Sequence, residues 1–244
     1  MLNQTTIPFQ PPLVDRNTMM KESGSQKQNE LHRLKRYLSP QIADIVLRCP
    51  DEDSLWESCR QEVTVVVLHL HGFTQFANCS EPEEVMALLR SYHAEMGRLV
   101  FKFQGNLERF TGDGIMVFFN EPGPCEQHTK KAVAMAIEMR DGGKELRKRW
   151  LKKGYDLDLG IGLAAGYATV GNFGFEGRMD YGAVGKVTNL TYRLCEEACG
   201  GQILTNQQTL CKIESCVHAE PVENLHLKGF PHPIKAFNIV SMKS

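Results

Sequence analysis

The 244-residue chain has no apolar run approaching the ~20 residues of a membrane-spanning helix. It also has no charge excess of either sign. Lys and Arg number 28 against 29 Asp and Glu, for a net charge of −1, which argues against a basic field for nucleic acid. The opening stretch MLNQTTIPFQPPLVDRNTMM lacks a basic segment followed by an apolar one, so no secretory signal is expected and a cytoplasmic location is. There is no internal repeat, which argues against a solenoid. Cysteine is present, at eight residues, but close knuckles are not: Cys195 and Cys199 lie one helical turn apart, and Cys211 and Cys216 are five apart. Zinc sites favour tighter pairs, so these read as reduced thiols packed as small hydrophobes. What remains, 42% hydrophobic and 23% charged, is an ordinary globular composition, enough for one large domain plus an extension.

Along the chain, residues 1–27 are polar and aperiodic and read as a flexible N-terminal segment. Residues 28–61 read as a helical linker. ELHRLKRYLSPQIADIVL carries Leu31, Leu34 and Leu38 on one face, and Ser39-Pro40 starts a second helix. RCPDEDSLWESC follows as a connection. Residues 62–244 form the main domain. A strand is expected over 63–70 and a helix over 80–104, with Ser80 as its cap and an apolar stripe from Val85 to Phe103. NLERF and IMVFF are strands joined by the tight turn TGDG. A second long helix is expected over 129–151, DLDLGIGLAAG and ATVGNFG as two strands, VTNLTYRLCEEA as a helix, and GQILTN and HPIKAFNIVS as late strands. Strand, helix, strand, strand, helix, strand is the split βαβ plan. The expected fold class is α+β, a ferredoxin-like βαββαβ core with an antiparallel sheet and helices on one face.

Three stretches carry chemistry-bearing residues. VVVLHLHGFTQF ends a strand with His69 and His71, which alternation puts on one face. ERFTGDGIMVFF sets Asp113 at a hairpin tip between two glycines. GFEGRMDYGAVGKVTNLTYRL runs from a Gly-rich loop into a helix, where Asn189 and Arg193, four residues apart, share a face. Each has a plain structural reading: turn chemistry for Asp113, a loop that only weakly implies phosphate, and a solvated charge for Arg193.

Together, over about residues 62–242, these stretches resemble the class III nucleotidyl cyclase catalytic domain, with the nearest likeness to bacterial members carrying LERFTGDG and FEGR-DY. The segment LHRLKRYLSPQIADIVL likewise looks like the linker that precedes this domain in bacterial multidomain cyclases. The resemblance implies conversion of a nucleoside triphosphate, ATP by default and GTP otherwise, to a 3′,5′-cyclic monophosphate and pyrophosphate. It implies two divalent ions, Mg²⁺ or Mn²⁺, held by oxygen ligands from the first strand and the hairpin. An Asn and an Arg on the helix orient the ribose and neutralise charge at the transition state. In this family they come from the partner subunit, so a homodimer is implied, along with an upstream sensor or regulatory domain. Carried over residue by residue, the catalytic pair is Asn189 and Arg193. The metal positions are Asp113, His69 and Leu70. The substrate-binding positions are Arg109, Gly182, Phe73, Thr74 and Gly112.

The departures from the pattern matter. The family's first strand ends Asp-Ile-Arg-Gly-Phe-Thr, whereas this one ends His69-Leu70-His71-Gly72-Phe73-Thr74, so an imidazole stands where a bridging carboxylate belongs. One imidazole nitrogen binds one ion, and nitrogen suits Mn, Zn or Ni better than Mg. The adenine-selecting Lys position is Arg109, and its Asp or Thr partner is Gly182, which has no side chain. Three readings stay open: a weakly active or Mn-dependent cyclase, a degenerate cyclase that binds nucleotide or dimerises, and a transition-metal sensor using His69, His71 and Asp113.

Overall fold

The computed structural model describes residues 28–48 and 57–243. The N-terminal segment 1–27 and most of the RCPDEDSLWESC connection lie outside the described residues. A helix over 28–35 (α1) is followed by α2 (Pro40–Arg48), as the Ser39-Pro40 signal indicates. Then come β1 (Ser58–His71), α3 (Phe73–Cys79), α4 (Pro82–Lys102), β2 (Asn106–Phe110), β3 (Gly114–Phe119), α5 (His128–Leu151), β4 (Asp158–Phe175), β5 (Arg178–Val184), α6 (Lys186–Glu197), β6 (Ile203–Asn206), α7 (Gln207–Ile213), β7 (Val217–Pro221) and β8 (Ala236–Met242).

The sheet order is β2-β3-β1-β4-β6-β8-β7, with β5 paired to β4. Its first four strands form the expected antiparallel α+β core, and β6 then joins β4 in parallel. The helices are not confined to one face. Val66, Leu68 and Leu70 of β1 pack against α4 and α5 through Tyr92, Met96, Val133 and Met139. Val63, Val65 and Val67 point the other way and pack with Leu190 and Leu194 of α6. The physical reason stands in β1 itself: an unbroken run of apolar residues has no wet face and must be covered on both sides.

Two expected strands prove to be one, because β4 runs unbroken from Asp158 to Phe175. Glycine inside it is what lets α6 lie close. A side chain at Gly162 would run into the backbone of Thr191 and Cys195. Ser80 ends α3 rather than capping α4. The cap is Glu81, in a box with Glu84, and Pro82 opens the helix.

Candidate active site

Strand β1, central in the sheet, carries its two histidines to its C-terminal end beside the β2–β3 hairpin. His69 pairs with Gly114 across the ladder, which brings its ring to the hairpin tip, where Nε2 lies 2.9 Å from Asp113 Oδ2. The His69 side chain is 48% exposed and that of Asp113 19%, so the carboxylate is the more sheltered partner. The hairpin is a tight turn: Thr111 N–H donates to Gly114 O at 2.9 Å, and Gly112 takes φ 74°. His93 of α4 holds the tip through Nε2 and the Gly112 carbonyl at 2.8 Å.

The exit from β1 explains the Gly-Phe-Thr that follows it. Gly72 has φ 82°, and a Cβ there would sit 2.7 Å from the Asp156 carbonyl, so only glycine makes this turn into α3. Phe73 then packs against the core, its ring 6.2 Å from Phe76, while Thr74 stays exposed. The side chain of Leu70 is buried in the core, leaving its main-chain carbonyl as the only oxygen it can offer.

His71 shares the face of His69, with ring centroids 5.5 Å apart. Its Nε2, however, is buried against Gly160, in space a side chain there would fill. Among the described residues no group of three or more His, Cys, Asp and Glu side chains gathers as a metal cluster. Cys195 is a buried thiol whose Sγ meets the Gly160 carbonyl at 3.5 Å, and burial pushes its pKa up to about 12.

A second constellation lies on the α6 side of the sheet. A groove of about 960 Å³ is lined by Glu108, Arg109, Asn189, Arg193, Lys186 and Lys228, among others. Helix α6 buries Val187, Leu190, Thr191 and Leu194 and so turns Asn189 and Arg193 outward. Arg193 is ion-paired with Glu196 at 2.5 Å, one turn along the same helix.

Arg109 reaches this groove through an irregularity. Leu107 pairs with Val117, but Arg109 pairs with Met116, so Glu108 is an extra residue in the ladder. Without that bulge Arg109 would share the face of Leu107, against the opposite core. Alternation alone turns Glu108 toward this groove and Arg109 away from it; the bulge places Arg109 beside Glu108. The Glu108 carboxylate is 3% exposed, holds the Arg109 guanidinium, with Nε at 3.1 Å, and accepts from Ala183 N–H at 3.3 Å. Burial pulls the Arg109 pKa down, but the hydrogen bond and charge of Glu108 outweigh it, and the net shift is upward.

The expected site residues therefore fall into two groups. His69 and Asp113, with Gly112 at the hairpin tip, form one. Arg109, Asn189 and Arg193 form the other, with Gly182 beside Glu108. A further groove of about 740 Å³, near Gln104, Glu121 and Lys131, holds none of them.

Residues 57–241 match the family model for the adenylate and guanylate cyclase catalytic domain. The chain is 24% identical over 186 residues to adenylate cyclase 1 of Rhizobium meliloti and 30% identical over 181 residues to an uncharacterised protein of Mycobacterium tuberculosis. Those matches take in 75% and 72% of this chain but only 28% and 32% of the relatives, so the chain spans about three tenths of their length. The adenylyl cyclase CyaB from P. aeruginosa superposes with a TM-score of 0.74 at 34% identity, over 77% of this chain and 97% of that one. The guanylyl cyclase Cya2 gives 0.70 at 32%, over 77% and 95%.

Proposed function

The chain belongs to the adenylate and guanylate cyclase catalytic domain family, and on that premise we propose that it converts a purine nucleoside triphosphate to its 3′,5′-cyclic monophosphate and pyrophosphate at sites shared by two copies. ATP is the first candidate, because the relatives include two adenylate cyclases, and GTP the second, through the guanylyl cyclase. The single observation behind the shared site is the split just described. The Arg109, Asn189 and Arg193 groove of one chain does not include the His69 and Asp113 pair. A second copy can bring that pair to the groove.

In this reading Asn189 orients the ribose, so that its 3′-oxygen faces the α-phosphorus. Arg193 leaves Glu196 and takes up charge on the phosphate as the bond to pyrophosphate breaks. Lys186 and Lys228 add positive charge along the groove for the phosphate tail. Arg109 faces the base.

The donor set at the hairpin fits one divalent ion. Asp113 Oδ2 and His69 Nε2, 2.9 Å apart, can chelate it, with the Leu70 carbonyl a further oxygen on the same strand. A bridged pair of ions does not fit, because among the described residues Asp113 is the one carboxylate at this hairpin tip. The nitrogen ligand favours Mn²⁺ over Mg²⁺. When bound, such an ion supplies Lewis-acid stabilisation of phosphate charge.

The pairing of His69 with Asp113 also favours a second reading, a degenerate cyclase that binds nucleotide or dimerises without turnover. Cyclic nucleotide formation from ATP and from GTP, each with Mg²⁺ and then Mn²⁺, separates the two. The expected result is measurable turnover that is higher with Mn²⁺. Nucleotide binding without product under either metal would favour the degenerate reading.

A further inference from the structure

Gly182 stands where the family carries the base-reading Asp or Thr, and taken alone it is a loss. Its surroundings say otherwise. A Cβ built on Gly182 would lie 2.7 Å from Glu108 Cδ and 2.8 and 3.0 Å from its two oxygens. The carboxylate of Glu108 thus occupies the space that a side chain at 182 would need, reached from the neighbouring hairpin through the β2 bulge. A carboxylate only 3% exposed is costly unless paired, and this one is paired on both sides. One oxygen takes the Arg109 guanidinium, and the other takes Ala183 N–H at 3.3 Å.

We propose that Glu108 is the positioning residue of the purine pocket: it fixes Arg109 as the base-facing donor, and Gly182 is glycine to make room for it. This rests on the reading of the groove as a nucleotide site. The division of labour follows from exposure. At 3% exposure Glu108 is too sheltered to meet a ligand broadly, whereas Arg109 is 46% exposed. Of the five guanidinium N–H donors, the Nε–H and one at Nη2 point to Glu108, and the rest are left to the groove. A donor fork of this kind finds an acceptor on either purine: O6 or N7 of guanine, N1 or N7 of adenine. With the Glu108 carboxylate turned inward and the groove's other carboxylate, Glu196, paired with Arg193, no free carboxylate beside Arg109 rejects one base edge in favour of the other. The substrate class is therefore purine nucleoside triphosphates, with weak choice between the two.

The test is equilibrium binding of ATP, GTP and inorganic tripolyphosphate to the purified full chain, which reads the pocket without turnover. Tripolyphosphate has no base, so it reports on the phosphate-binding cations alone. In the wild type, ATP and GTP are expected to bind within ~10-fold of each other. Glu108→Ala should weaken both nucleotides by ~10-fold, the scale of a lost charge-assisted hydrogen bond, and leave tripolyphosphate unchanged. Gly182→Asp alone forces a side chain onto Glu108 and should weaken both nucleotides. Combined with Glu108→Ala, it should restore ATP binding, because the acceptor returns from the other strand.

Tripolyphosphate falling in step with ATP would make Glu108 merely structural and overturn the proposal. So would unchanged nucleotide binding in Glu108→Ala, or Gly182→Asp being equally harmful with and without Glu108. A wild type that binds neither nucleotide nor tripolyphosphate would instead sink the reading of the groove as a nucleotide site, and this inference with it.

Discussion

His69 places an imidazole beside the carboxylate at the hairpin tip, its Nε2 2.9 Å from Asp113 Oδ2. An aspartate at that position would add a negative charge and a second hard oxygen ligand, the set that holds two ions close together. Replacing His69 with Asp on the retained frame of Asp113, Asn189 and Arg193 should raise Mg²⁺-dependent turnover by ~10²-fold or more, the scale of a missing electrostatic group in phosphoryl chemistry. His71→Arg should do little, since the His71 ring packs on Gly160 rather than on Asp113. Turnover of both variants under saturating Mg²⁺ checks this. If the wild type already runs well with Mg²⁺ and His69→Asp changes nothing, His69 is not at the metal position. The place of His69 was legible in the sequence, because strand alternation and the Gly-Phe-Thr that follows fix it. The contact with Asp113 was not, because it depends on the ladder register between two strands far apart in the chain.

Among the elements, α6 and the β2–β3 hairpin were the most legible: Asn189 and Arg193 at helical spacing and the TGDG turn each carry their own geometry. Less legible was the bulge at Glu108, since one inserted residue leaves no mark in an alternating pattern yet moves Arg109 to the other face of the sheet. The short α7 and β5, with few residues each, also lacked a periodic signal. One link between elements has a pH consequence. At the start of α5, His128 Nδ1 lies 2.8 Å from Thr64 Oγ1 of β1. Burial lowers the His128 pKa, opposed by Glu62 and assisted by Lys212. The unfolded chain therefore binds the proton more readily than the folded one. Its contribution to stability is present above the unfolded value of ~6.5 and is lost as pH falls towards the folded pKa. Denaturant unfolding at pH 7.5 and 5.5 should show a smaller acid loss in His128→Gln than in the wild type. An equal loss in both would mean that folding does not lower the His128 pKa.

For the whole molecule, the question is where the two halves of the site meet. The groove beside α6 carries cations and Asn189, while the carboxylate of Asp113 belongs to the hairpin. Large apolar side chains stand exposed on the same strands: Phe110 on the hairpin, Tyr167 and Phe175 on β4, and Val184 on β5. Exposed residues of this kind favour burial against a second copy, and twofold symmetry would then pair each groove with the partner's hairpin twice over. Light scattering at micromolar concentration should report a dimer. The sharper measurement mixes two single variants, Asp113→Asn and Arg193→Ala. Each homodimer carries two defective sites, so each alone should fall well below the wild type. In the mixed dimer one site collects both defects and the other collects neither. If subunits exchange freely, half of the dimers are mixed and each of those has one intact site, so an equimolar mixture should recover ~25% of wild-type turnover. Recovery must also grow with time of mixing as subunits exchange. No recovery under conditions where labelled subunits do exchange would place Asp113 and Arg193 in the same chain's site, and the shared-site assembly would fail.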